Sequence, residues 1–344
     1  MPDDRRLGRR LTAFAPGRVN LIGDHTDYTD GLAMPMAIDL GTTITGHRID
    51  DRIVLRSDGF TGVVDLALDD LGNDPRSIEP AWGRYVAGVA SELRTGVGFD
   101  GDVRTTIPVG TGLSSSAALE VAVALALGAT EPPLELALAC QRAEQAASGV
   151  PCGVMDQLTS VAGVEGHALL IDFRTLTTEP VALPSGVDVV VIHSGQEREL
   201  ATSAYAERRA QLESAERAIG PLRDAAPEDL TAIGDRLVRA RARHVVAENG
   251  RVLRFAAALR RGDLAMAGAL MVEAHASFRD DFDASTPVVD ALVDHLVATP
   301  GVHGARLTGG GFGGCVVALV EPGTPTEGWG RHWVVKASGG ARVL

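Results

Sequence analysis

Residues 117–127, Ala-Ala-Leu-Glu-Val-Ala-Val-Ala-Leu-Ala-Leu, restrict the fold more than any other stretch of the chain. Alanine and leucine favour helix, and with Glu120 as its single charge this helix is apolar around its whole circumference. Such a helix is stable only when covered on every side. The rest of the chain must therefore supply layers around it. Residues 102–108 read as a strand, and Gly110-Thr111-Gly112-Leu113-Ser114-Ser115-Ser116 makes a small-residue loop between strand and helix. Small side chains let backbone N–H groups approach a phosphate, the helix N-terminus adds a favourable dipole, and the hydroxyls offer donors or a magnesium ligand. The alternative is a tight strand-to-helix turn with serine N-caps. No Lys-Ser/Thr pair follows the last glycine, so the loop is not a Walker A sequence, and G-x-G-x-x-Ser matches the dinucleotide fingerprint only weakly.

With 344 residues the chain exceeds one comfortable core and fits two domains of ordinary size. A formal charge of −13 argues against nucleic acid or an anionic membrane as partner. No run reaches the ~18 uncharged apolar residues of a spanning helix. Cys140, Cys152 and Cys315 show neither C-x-x-C nor zinc-site spacing, so buried reduced thiols and a reducing compartment are expected. Residues 1–11 carry four arginines, but no apolar segment follows them. The expectation is a cytoplasmic monomer with a short frayed tail.

Residues 36–47, 53–57 and 63–68 have strand composition, and 82–93 and 134–147 have helical spacing. Strands are expected at 168–172 and 187–193, then helices at 197–219, 229–244, 252–260, 264–278 and 288–297, then a strand at 315–320.

Three further segments carry chemistry. Arg18-Val19-Asn20-Leu21-Ile22-Gly23-Asp24-His25-Thr26-Asp27-Tyr28 gathers a base, two acids, a histidine and a tyrosine beside glycines; it is either a small-ligand site or a solvated turn between strands. Pro151-Cys152-Gly153-Val154-Met155-Asp156-Gln157 sets an aspartate after a constrained loop, where a helix N-terminal carboxylate is the plain alternative. Gly309-Gly310-Gly311-Phe312-Gly313-Gly314 has five glycines in six residues, each costly in backbone entropy. A strand follows it where a dinucleotide site needs a helix, so it reads as a turn lying against a phosphate or substrate loop.

Together these segments resemble the motifs of the GHMP sugar and metabolite kinases, and the first is similar to the galactokinase signature. The resemblance implies an α+β, two-domain GHMP kinase fold. An N-terminal domain over 1–172, like the second domain of a small-subunit ribosomal protein, carries the sugar signature and phosphate loop, and an α/β C-terminal domain covers 173–344. It implies Asp156 and Arg18 as catalytic residues, and Asp24, His25, Asp27, Gly153 and Tyr205 around a sugar. Gly110, Gly112, Ser114, Ser115 and Ser116 would hold the ATP phosphates, with Trp82 near adenine and Ser116 and Glu144 as Mg²⁺ ligands. The implied reaction is ATP-dependent phosphorylation of D-galactose at the anomeric hydroxyl. The alternatives are a kinase for another aldose, such as an N-acetylhexosamine or arabinose, and a non-catalytic sugar- and ATP-binding regulator. Two departures bear on substrate: Asp24 stands where the family motif has Glu, and Thr29 where it has Asn.

Overall fold

The computed structural model describes residues 8–108, 110–196 and 201–344, with backbone alone for 201–203. The first half runs β1 (Arg10–Asn20), β2 (Leu32–Ala33), β3 (Pro35–Ile49), β4 (Arg52–Ser57), β5 (Val64–Ala67), α1 (Gly83–Glu92), β6 (Gly98–Thr105), α2 (Ser115–Leu127), α3 (Pro133–Ser148), α4 (Met155–Ala162) and β7 (His167–Asp172). The second half runs β8 (Thr177–Ala182), β9 (Asp188–His193), α5 (Ala201–Ile219), α6 (Arg236–Arg260), α7 (Leu264–Asp280), α8 (Pro287–Val297), β10 (Val302–Leu307), β11 (Cys315–Val320), β12 (His332–Val335) and β13 (Arg342–Val343).

Three sheets organise these elements, in the orders β13-β1-β3-β6-β4-β5, β10-β11-β9-β12 and β2-β7-β8. The final strand thus returns to pair with the first. Helix α2 packs on β1 and β3 and is flanked by α1, α3 and α4, so the all-apolar segment is covered on every side as its composition demands. Even Glu120 is fully buried. A second core forms where α5 to α8 cover the four-stranded sheet around Phe278, Phe282 and Leu307. No helix among the described residues is long and apolar enough to cross a membrane.

Some expectations shift. Arg10 and Leu11, expected in a frayed tail, open β1, while residues 1–7 of that tail and 197–200 of the expected 197–219 helix lie outside the described residues. The helices expected at 229–244 and 252–260 are one helix, α6, preceded by a short 3-10 turn at Asp229–Ala232. Asp235 starts α6 by accepting from the amides of Leu237 and Val238. Asn249-Gly250 reads locally as a break, but Asn249 is held inside the helix, donating to the Val245 carbonyl and accepting from the Leu32 amide.

Candidate active site

The polar cluster begins inside a strand. β1 pairs with β3 until Pro16↔Gly41, then resumes at Arg18↔Ala37, so Gly17 alone stands opposite three residues of β3, 38–40, and the ladder is irregular there. Such an irregularity bends the pair and re-aims the side chains beside it. Gly17 is required there: a Cβ would lie 2.5 Å from the Leu113 carbonyl oxygen, the acceptor of the Arg18 amide at 3.1 Å. The 110–116 loop is thereby laid against β1.

Arg18, just past this irregularity, points to Asp156 in the first turn of α4. Its Nε donates to Oδ1 and its Nη2 to Oδ2, both at 2.9 Å, while Nη1 donates to the Gly112 carbonyl at 2.6 Å. Ser114 completes the junction, its Oγ donating to Asp156 Oδ2 at 2.5 Å. The serine caps expected of a plain turn are absent: Ser114 has φ 61 and makes no side-chain cap bond to α2. Its hydroxyl is spent on Asp156 instead. Gly110 and Gly112, with φ 75 and 71, shape the loop ahead of it, and Ser115 opens the helix. Ser116 turns the other way, donating to Glu144 Oε1 at 2.8 Å. Burial, and then the Asp156 charge, push the Glu144 carboxyl up.

Beside this junction opens a cavity of about 230 Å³ lined by Arg18, Asp24, His25, Asp27, Glu144, Gly153, Asp156, Tyr205 and the Gly309-Gly310 turn, with Cys152 and Met155. The sugar residues implied by resemblance therefore converge. His25, held at φ 62, has Nδ1 2.6 Å from the Tyr28 hydroxyl and Nε2 3.3 Å from the Gly310 carbonyl. Burial keeps the Tyr28 proton in place by raising its pKa well above 10. Tyr205, from α5, sets its ring 5.1 Å from His25. Asp27 faces Gly153 so closely that a Cβ there would overlap its carboxylate. Burial, and then the charge of Asp156, push Asp27 up to about 7.

Asp24 lies deepest, 1% exposed. Its Oδ1 accepts from Asn20 Nδ2 at 2.9 Å and from the Gly309 amide at 3.0 Å, and its Oδ2 lies 2.5 Å from Arg306 Nη2. Burial raises its pKa against the pull of Arg306. The glycine run, with φ 82 at Gly309 and 86 at Gly311, lies against this substrate-side loop. Arg306 was not foreseen as part of the site. It is fully buried, 3.8 Å from Glu248 as well as beside Asp24. Its one signal was a lone cation inside the apolar strand that leads into the glycines.

Of the expected nucleotide-side residues, Gly110, Gly112, Ser114, Ser115, Ser116 and Trp82 are not among those lining this cavity; Trp82 lies apart from it. Its ring is 7% exposed, stacks on Phe60 and donates Nε1–H to the Thr61 carbonyl at 3.3 Å. It caps α1 from within the core, because burying its indole there satisfies both ring and N–H.

Among the described residues no three His, Cys, Asp or Glu side chains converge to hold a metal. A magnesium ion carrying nucleotide phosphates needs only one or two protein oxygens, and Ser116 with Glu144 offers two.

Family models match along the chain: the galactokinase galactose-binding signature at residues 5–48, the GHMP kinase N-terminal domain at 84–164 and the GHMP kinase C-terminal domain at 255–327. The galactokinase of Roseiflexus sp. (strain RS-1) is 47% identical over 89% of this chain and 82% of its own length. The galactokinase of Homo sapiens is 42% identical over 97% and 92%. Among solved structures, Lactococcus lactis galactokinase complexed with galactose is 31% identical and superposes with a TM-score of 0.90 over 98% of this chain and 96% of its own. A mevalonate kinase from Methanococcus jannaschii, 20% identical with a TM-score of 0.69 over 96% and 99%, shares the fold. With a galactokinase-specific signature over the arginine, acid and histidine cluster and relatives 42–47% identical along most of the chain, the protein belongs to the galactokinase family, sugar kinases of the GHMP class.

Proposed function

We propose that the chain transfers the γ-phosphoryl group of ATP to the anomeric hydroxyl of D-galactose, giving galactose 1-phosphate. The observation that carries this reading is the Arg18–Asp156 pair, which borders the cavity and is tied by Ser114 and Gly112 to the 110–116 loop. Phosphoryl transfer asks a protein chiefly for positioning and charge neutralisation. On this reading the sugar sits among Asp24, His25, Asp27, Gly153 and Tyr205, with its anomeric hydroxyl facing Asp156. Asp156 accepts that hydroxyl's hydrogen bond and aims the oxygen. Arg18 fixes the carboxylate plane and faces the transferring group, while Gly110, Gly112 and Ser114 to Ser116 cradle the phosphates. Magnesium held by Ser116 and Glu144 would neutralise phosphate charge; the fit rests on the Ser116 hydroxyl 2.8 Å from a Glu144 carboxylate that has no cation in hydrogen-bond contact among the described residues.

The two lobes we assign are 1–172 and 173–344, acting as a soluble cytoplasmic monomer. Trp82 shapes α1 and the nucleotide side from the core without touching the sugar.

A second reading, another aldose as acceptor, is favoured by Asp24. Asn20, Gly309 and Arg306 already engage both of its oxygens, which leaves it less able to read a hydroxyl. Coupled ADP-release assays with Mg-ATP over a panel of aldoses test both. Turnover on galactose supports the first reading, turnover elsewhere with none on galactose moves the substrate, and no turnover with any sugar sinks the kinase reading. Asp156→Asn should abolish turnover while sugar affinity stays within about tenfold, roughly 1.4 kcal/mol.

A further inference from the structure

The reaction above uses Asp156 and Glu144 but leaves two buried neighbours unexplained. Gln157 and Glu120 are both fully buried. Gln157 follows Asp156 in α4, and successive helical side chains diverge by about 100°, so Asp156 meets Arg18 while Gln157 faces the acids of α2 and α3. Its Nε2 donates to Glu120 Oε2 at 2.9 Å and to Glu144 Oε2 at 2.5 Å. Both amide hydrogens are used. Glu144 spends its other oxygen, Oε1, on Ser116, so each of its oxygens is fixed by a different uncharged donor.

The chemistry of the donor matters. A lysine or arginine in place of Gln157 would satisfy both acids but would also cancel the charge of Glu144. An amide carries no net charge, so it orients the carboxylate and leaves its charge for something else. Glu120 supplies the far anchor for that amide through its Oε2, and no ion pair reaches it among the described residues. Such an anchor is costly to bury, and packing alone does not call for it in a helix that is otherwise apolar.

We propose that Gln157, braced by Glu120, is a positioning residue that keeps the Glu144 carboxylate paired with Ser116 and ready for a divalent cation; this rests on the reading of Ser116 and Glu144 as the magnesium-holding pair. The bridge also ties the metal side to the sugar side, since Gln157 and Asp156 are adjacent in one helical turn.

The test uses the full-length protein with Mn²⁺ as the probe. Electron paramagnetic resonance titrations with a saturating non-hydrolysable ATP analogue read bound Mn²⁺, against the same titration without protein. Gln157→Leu is expected to weaken protein-dependent Mn²⁺ binding at least tenfold with the sugar KM within threefold. Glu120→Gln, which keeps an acceptor for the amide, should stay within twofold of the wild type. If Gln157→Leu does not fold, Gln157→Asn, shorter by one methylene, should still weaken Mn²⁺ at least threefold. Glu144→Gln separates the two layers of the argument. Weakened Mn²⁺ in Glu144→Gln, with binding within twofold of wild type in the folded Gln157 variant, overturns the positioning role and spares the magnesium reading. Unchanged Mn²⁺ in Glu144→Gln overturns both.

Discussion

Arg18→Lys keeps the charge and removes the fork. Arg18 makes two hydrogen bonds to Asp156 and one to the Gly112 carbonyl, with its side chain 8% exposed. A lysine is a point charge on a flexible stem and reaches one carboxylate oxygen. It therefore loses one charge-assisted bond, about 2 kcal/mol, and leaves the Gly112 carbonyl without its donor, about 1 kcal/mol more. The sum, about 3 kcal/mol, corresponds to roughly 150-fold if it falls on the transition state. The loss is expected in kcat, because what is lost is the fixed plane of Asp156 and its spacing from the phosphate loop. Sugar KM should stay within about threefold, since Arg18 lines only one corner of the cavity. Initial rates of ADP release with galactose and Mg-ATP, each saturated in turn, measure both constants, and a melting curve checks the fold. A kcat within fivefold of wild type in a normally folded Arg18→Lys protein would refute the reasoning, because charge alone would then suffice.

Gly153→Ala places a methyl where the Asp27 carboxylate sits, so Asp27 must move; sugar KM should rise about tenfold, or 1.4 kcal/mol, with the ATP KM within twofold, and an unchanged sugar KM would dismiss the contact. Asp27, lifted from an ordinary value near 3.8 to about 7 by burial, Asp156 and Asp24, with Arg18 opposing, binds its proton more tightly folded than unfolded. Stability should therefore fall as pH climbs from about 4 to about 7 and level off above. Urea midpoints at pH 5 and pH 8 should differ less in Asp27→Asn than in the wild type, and equal differences would count against the shift. Arg306→Leu strips the nearest cation from Asp24 and one of those facing Glu248, so stability to urea should drop by about 3–5 kcal/mol; a loss under about 1 kcal/mol would mean that the acids find other compensation.

How much of this was legible depends on range. The α2 helix declares itself by composition, because an all-apolar segment has only one kind of home. The loop before it and the acids beyond it were legible as motifs, and family resemblance supplied what spacing could not: that Arg18 meets a carboxylate at Asp156. The strand character of residues 10–20 was hidden by Pro16 and Gly17, which read as a turn and in fact sit inside a strand where the register with β3 slips. Arg306 was missed for a different reason. A buried cation is explained only by its partners, and Asp24 and Glu248 lie far from it in sequence. The chemical alternation that betrays a strand or helix carries no trace of such pairs.

The charge distribution around the cavity narrows which form of the nucleotide the site can accept. Four carboxyl groups, Asp24, Asp27, Glu144 and Asp156, line it, and Arg18 is the one permanent cation among the described lining residues. Its Nε and Nη2 serve Asp156 and its Nη1 serves Gly112, while Asp24 is matched by Arg306 from behind. That leaves Glu144 and Asp27 without an ion pair of their own among the described residues, and both are pushed up by burial and by Asp156 despite the opposing pull of Arg18. A free triphosphate would bring several negative charges to acids that already repel one another through a low dielectric. The same triphosphate carrying magnesium brings the cation that Glu144 lacks, and a neutral sugar brings hydroxyl donors that Asp27 and Asp156 can accept without added charge. On the proposed reading, this imbalance is met by a metal-bound nucleotide and a polyhydroxylated neutral acceptor together, whereas an anionic acceptor or metal-free nucleotide would add to the charge that burial already penalises.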